Sequence, residues 1–159
     1  VRPELEQIVT ELREADRQDR IELLLELARD LPALPPELEP LRDEAHRVQE
    51  CQSPVFLFVT VEDGHLRLRA DAPIEAPTVR GFVALLVEGL DGATLEEVRD
   101  IPADLVDRTG VTEILGMQRR SGLAGLVRRL RAEIGRAVAE STCTGSGTSG
   151  TSSGVSRAS

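Results

Sequence analysis

A chain of 159 residues, 40% hydrophobic and 30% charged, is long enough to bury one core without disulfides or metal to staple it. Its formal net charge of −9 argues against nucleic acid, whose phosphates need a basic face. Lysine is absent, so chemistry that runs through a lysine Schiff base, including a resident pyridoxal cofactor, is excluded.

Pro3 suits the first position of a helix whose buried stripe is Leu5, Ile8, Val9 and Leu12. Asp16 is the expected cap of a second helix with Ile21, Leu24, Leu25, Ala28 and Leu31 on one face. The prolines of LPALPPELEP then stop it. Residues 54–71 read as a hairpin. Asp63-Gly64 is a preferred two-residue type I′ turn, which sets Glu62 opposite His65. Counting outward pairs Val61 with Leu66, Val59 with Leu68 and Leu57 with Ala70 on an apolar face, and Thr60 with Arg67 and Phe58 with Arg69 on a mixed one.

Thr78 is the expected cap of a third helix with Val79, Phe82, Val83, Leu86 and Leu90 inward. Thr94-Leu95-Glu96-Glu97 fits a capping box for a short helix, and another begins at Ile101-Pro102 and ends at Gly110. The last helix is long and turns Leu123, Leu126, Val127, Leu130, Ile134 and Val138 to one side. The sum is an α+β fold: a small antiparallel sheet of about three strands, with helices packed on one face. The third strand is expected just before Cys51 or near Ala70. Residues 1–140 form the domain. Residues 141–159 are a Ser/Thr/Gly-rich tail, expected to be disordered because it offers too little apolar surface to offset its ordering entropy.

No apolar run is long enough for a membrane helix, and no Gly-rich nucleotide motif is present. The opening residues, VRPELEQIV, lack the pattern of a secretory signal, and two badly placed cysteines demand no oxidising compartment. The expected location is the cytoplasm. His46, His65 and Cys51 are too few for a structural zinc site, so no metal is expected.

Cys51 lies where the polar stretch HRVQE meets the apolar strand VFLFV, with Cys143 in the tail. A cysteine there is either a small buried hydrophobe or a reactive thiol held by a rigid scaffold. Arg47 lowers its pKa and Glu50 raises it, so composition leaves the choice open. His46 is a candidate base for the thiol or a plain turn residue. Gln52 and Ser53 offer hydrogen bonds beside the sulfur.

The run V-x-E-C-Q-S-P-V-F-L, Val48 to Leu57, resembles the cysteine motif of the SufE family of cysteine desulfuration proteins, close to V-x-G-C-Q-S-x-V and an aromatic. EAPTVRGFVALL, from Glu75, is similar to that family's acid-Ala-x-x-x-Arg-Gly helix start. GMQRRSGLAGLV, from Gly116, is similar to its S-x-x-R-x-x-G run, and LPALP to a proline-bearing stretch after its second helix. The resemblance covers roughly residues 5–138. Glu50 stands in place of the usual glycine, Pro73-Ile74 in place of Asp-Ser, and Gly116-Met117 in place of Ser-Pro.

The resemblance implies a SufE/NifU-like fold and a sulfur acceptor. Cys51 would take persulfide sulfur from a SufS-type cysteine desulfurase, stimulate it, and pass the sulfur to the Suf iron–sulfur scaffold complex. Pyridoxal phosphate would belong to the partner, leaving this chain without a cofactor. It would be an accessory activator, with no membrane or nucleic-acid partner, as a monomer or weak homodimer. By the same resemblance Glu75 and Arg119 are candidate partner contacts. Two rivals stand beside this reading: a desulfurase-binding domain with an inert Cys51, and a thiol redox enzyme resolved by a second thiol.

Overall fold

Helix α1, Pro3–Glu14, and helix α2, Arg17–Asp30, follow one another with Asp16 between them. The Asp16 carboxylate accepts the Asp19 N–H at 2.8 Å, as the cap expected there. This computed structural model describes residues 2–149. Strands β1, Phe56–Glu62, and β2, His65–Asp71, form an antiparallel pair with every partner in the derived register. Asp63 and Gly64 both have positive φ, 53° and 75°, which the type I′ turn requires.

The sheet has two strands rather than about three. The segment before Cys51 does pair, but only briefly. Val48 donates its N–H to the Val55 carbonyl at 2.8 Å, and Leu57 donates to the His46 carbonyl at 3.0 Å. Arg47 and Phe56 make an isolated bridge there, too short for a strand. On the far side of β2, His65 bridges Thr94 in the same way.

Helix α3, Pro77–Leu90, is the centre of the molecule. Its buried residues run nearly all round it, from Val79 and Gly81 to Leu90, because α1 and α2 cover one side and β2 the other. A Cβ on Gly81 would stand 2.3 Å from the Leu24 carbonyl oxygen, so only glycine lets the α2 and α3 backbones meet this closely. Arg80 beside it donates to the Ala28 carbonyl at 3.1 Å and to the Ala72 carbonyl, tying the end of α2 to the turn before α3.

One expected cap differs, and another forms without its helix. Thr78 lies inside α3, whose first residue is Pro77, and Ala76 precedes it without a side-chain cap. A proline with φ already set and no N–H to satisfy is the better starter. At Thr94 the capping box forms, with the Thr94 N–H to Glu97 Oε1 at 2.9 Å and the Glu97 N–H to Thr94 Oγ1 at 3.3 Å. No helix follows it, only turns through residue 100, because Ile101-Pro102 arrives within two turns. Helix α4, Leu105–Arg108, is then short, and Gly110 ends it at φ 74°.

Helix α5, Met117–Ser149, packs on β1 and α4 through Leu123, Leu126, Val127, Leu130 and Ile134. Its backbone continues through residues 141–149, the first part of the expected tail; residues 150–159 lie outside the described residues. No helix among the described residues is long and apolar enough to cross a membrane.

The α2 stripe is rotated from the expected face. Leu25 is 38% exposed, and Arg20 is buried instead. Arg20 donates to the carbonyls of Leu12, Arg13 and Ala15 at 2.8, 3.0 and 2.9 Å, to the Gly110 carbonyl at 3.2 Å, and to Glu113 at 2.8 Å. One guanidinium thus satisfies the end of α1, the α1–α2 turn and the loop after α4. Arg20→Ala leaves the buried Leu12 carbonyl and three part-buried ones without their donor and should cost about 3 kcal/mol of unfolding free energy, read from the denaturant midpoint at unchanged m-value.

Candidate functional site

The pairing of residues 46–48 with 55–57 closes a loop, residues 49–54, at its base. Cys51 sits in that loop, with its N–H on the Val48 carbonyl at 3.3 Å. The thiol is a free, buried group, 6% exposed, and Sγ donates to the Gly122 carbonyl of α5 at 3.3 Å. Arg129 of α5 holds the entry to the loop, donating to the Arg47 and Ala45 carbonyls at 3.0 and 2.6 Å. Glu133 braces Arg129 at 3.1 Å. Burial works against the Glu133 carboxylate, but the Arg136 and Arg129 guanidiniums outweigh it and hold its pKa below the usual range.

Beside the sulfur is a cavity of about 110 Å³ lined by Cys51, Gln52, Ser53, Val79, Arg119 and Gly122, with Gln118 and Leu123 completing the wall. Among the candidates from sequence, Gln52, Ser53 and Arg119 therefore come together with Cys51. Glu75 does not; it lines a separate cavity with Arg42, Asp71 and Ile74. His46 also turns elsewhere. Its ring stacks on Phe58 with centroids 4.7 Å apart, and Nδ1 meets Asp43 at 2.8 Å. The His46 hydrogen bond holds the Asp43 carboxyl below its ordinary value. The stack also explains why Phe58, on the mixed face of the hairpin, is buried.

Sequence reasoning missed the floor of the site. Gly122, Val79, Gln118 and Leu123 come from helix positions with no chemical signature of their own. Gly122 is the closing glycine of the S-x-x-R-x-x-G run, and Gly125 lies three residues on, on the same face of α5; that run and that spacing are the signals available in the sequence. Met117, 80% exposed, adjoins the wall residues Gln118 and Arg119.

A family profile described as the SufE Fe-S metabolism associated domain matches residues 6–134. The chain belongs to the SufE family. It is 37% identical over 131 residues to a SufE-like protein of Mycobacterium tuberculosis, with 82% of this chain and 90% of that one covered. With the sulfur acceptor protein CsdE of Escherichia coli it shares 33% identity over 111 residues, 69% of this chain and 72% of CsdE. The solution structure of a hypothetical protein from Thermus thermophilus matches it with a TM-score of 0.75 at 36% identity, over 87% of this chain and 98% of that one. The helices packed against a small antiparallel sheet are thus a SufE-like fold.

The thiol of this SufE-family chain is quiet as it stands. Burial first, and the Glu50 carboxylate second, push Cys51 up from 9.0 to about 11, with Arg47 opposing them. The folded protein keeps a proton that the unfolded chain gives up near 9.0, so this group leaves stability unchanged below that pH. Stability falls as pH rises from 9.0 to about 11. Alkylation of the native thiol should accordingly keep accelerating, about tenfold per pH unit, well past pH 9. A rate that levels off at the pH of a free cysteine would contradict the buried, hydrogen-bonded geometry.

Proposed function

We propose that this protein is a sulfur acceptor, and that Cys51 receives persulfide sulfur from a SufS-type cysteine desulfurase. The observation that carries the reading is the placement of the thiol: a free sulfur on a tethered loop, at the wall of a cavity of about 110 Å³. That space is several times the volume of one added sulfur atom. The family and the sulfur acceptor CsdE among its relatives support the same role.

The transfer is a thiol–disulfide exchange. The Cys51 thiolate attacks the outer sulfur of the desulfurase persulfide. A new S–S bond forms on Cys51 as the donor's S–S bond breaks, and the donor cysteine leaves as thiolate and takes up the proton. Nothing is oxidised or reduced overall. Pyridoxal phosphate stays with the partner, where it generates the persulfide, and this chain contributes the nucleophile and the shelter. Because the Cys51 pKa is pushed up to about 11 in the inward position, ionisation accompanies an outward swing of the loop 49–54 toward the partner. Arg119, which lines the cavity, and the exposed Met117 beside it in sequence are the contacts for that partner. The loaded sulfur then passes to the Suf scaffold complex.

Burial and the raised pKa favour a second reading, a desulfurase-binding domain whose cysteine is inert. One experiment separates the two. After incubation with a Suf-type desulfurase, its cofactor and L-cysteine, mass spectrometry should find one or more added sulfur atoms on the Cys51 peptide. Cys51→Ser should fold with the same circular dichroism yet lose at least tenfold of the stimulation of sulfide release. An unmodified Cys51, or a serine variant that stimulates as well as the parent, would sink the acceptor role and leave the binding domain.

A further inference from the structure

Residues 50 and 51 rest on consecutive glycines of α5. A Cβ on Gly122 would lie 3.5 Å from the Glu50 carbonyl oxygen and 3.9 Å from Cys51 Sγ. One helical turn on, a Cβ on Gly125 would lie 2.3 Å from Glu50 Cβ and 2.7 Å from Cγ. The aliphatic stem of Glu50 therefore fills the notch that any side chain at 125 would occupy, although the residue as a whole is exposed.

The loop is tied at its base by the Val48–Val55 and His46–Leu57 hydrogen bonds, so outward motion is confined to residues 49–54. What holds its tip inward is the thiol on the Gly122 carbonyl and the Glu50 stem on Gly125. A glycine at 50, the usual residue in the motif this run resembles, would leave the thiol alone to hold it.

We propose that Glu50 is a positioning residue for sulfur uptake: its stem, seated in the Gly125 notch, latches the Cys51 loop inward and sets how often the thiol is presented. The inference rests on the acceptor reading, within which the latch controls the supply of competent loop. The charges around the notch are few. Glu50 faces Cys51, Arg47 opposes it, Arg119 lines the cavity, and the Arg128 guanidinium would lie 3.4 Å from a Cβ at Gly125.

The test uses the full-length protein and iodoacetamide at pH 8. Glu50→Gly should be alkylated at Cys51 roughly tenfold faster than the parent, the effect of losing two packed methylene groups. Glu50→Gln, which keeps the stem and drops the charge, should stay within about threefold. Gly125→Ala should speed labelling by ejecting the stem, and should do nothing further in a Glu50→Gly background. With the desulfurase, the Glu50→Gly concentration for half-maximal stimulation should fall about tenfold at an unchanged plateau, since a pre-opened loop removes a conformational cost. Labelling of Glu50→Gly at the parental rate, or a Gly125→Ala effect equal in both backgrounds, would overturn the latch. Were the labelling pattern to hold while Cys51 took up no sulfur, the acceptor reading would fall and take the role in sulfur uptake with it, leaving only the mechanical latch. Were sulfur to arrive but Glu50→Gly to label like the parent, the latch alone would fall.

Discussion

The site depends on how closely one loop can approach one helix. The Cys51 loop leaves the short segment 46–48 and runs into β1, with its ends joined by backbone hydrogen bonds, and its tip rests on the bare backbone of α5. A side chain at Gly125 would collide with the Glu50 stem. Everything else positions these two partners. The start of β1 fixes where the loop ends, the Leu123–Ile134 stripe seats α5 on β1, and Arg129 pins the loop's entry from the helix side. α3 contributes Val79 to the same cavity while its other faces hold α1, α2 and β2 in place.

Much of the fold is legible in the sequence wherever local chemistry and burial agree. The hairpin register follows from Asp63-Gly64 because a two-residue turn admits one pairing, and the apolar face confirms it. Asp16 starts α2 through its side chain, and Gly110 stops α4 through its φ. Where signals compete, the reading slips. Pro77 outranks Thr78 as a helix starter, and Ile101-Pro102 cuts short the helix that the Thr94 box would open. Arg20 escapes notice because a charged residue reads as solvated, and nothing local reveals the orphan carbonyls that draw it in.

The candidate site is half legible. Cys51, Gln52, Ser53 and Arg119 carry chemistry in their side chains and meet at one cavity. Glu75 and His46 are conspicuous in the sequence and are employed elsewhere. The helix positions that complete the wall are glycine, valine, leucine and glutamine, whose role comes from where three elements converge. Arg80-Gly81, part of the run that resembles the family's helix start, serves the architecture, letting two helices touch and fastening the end of one.

The bonding of Arg20 has a consequence for how the molecule comes apart. Its guanidinium joins residues 12–15 to residues 110–113, nearly a hundred positions away along the chain. Helix α1 cannot fray, nor the loop after α4 swing free, without stranding polar atoms that the other segment had satisfied. The helical layer should therefore melt in a single cooperative event, which leaves the cysteine loop as the part free to move on its own.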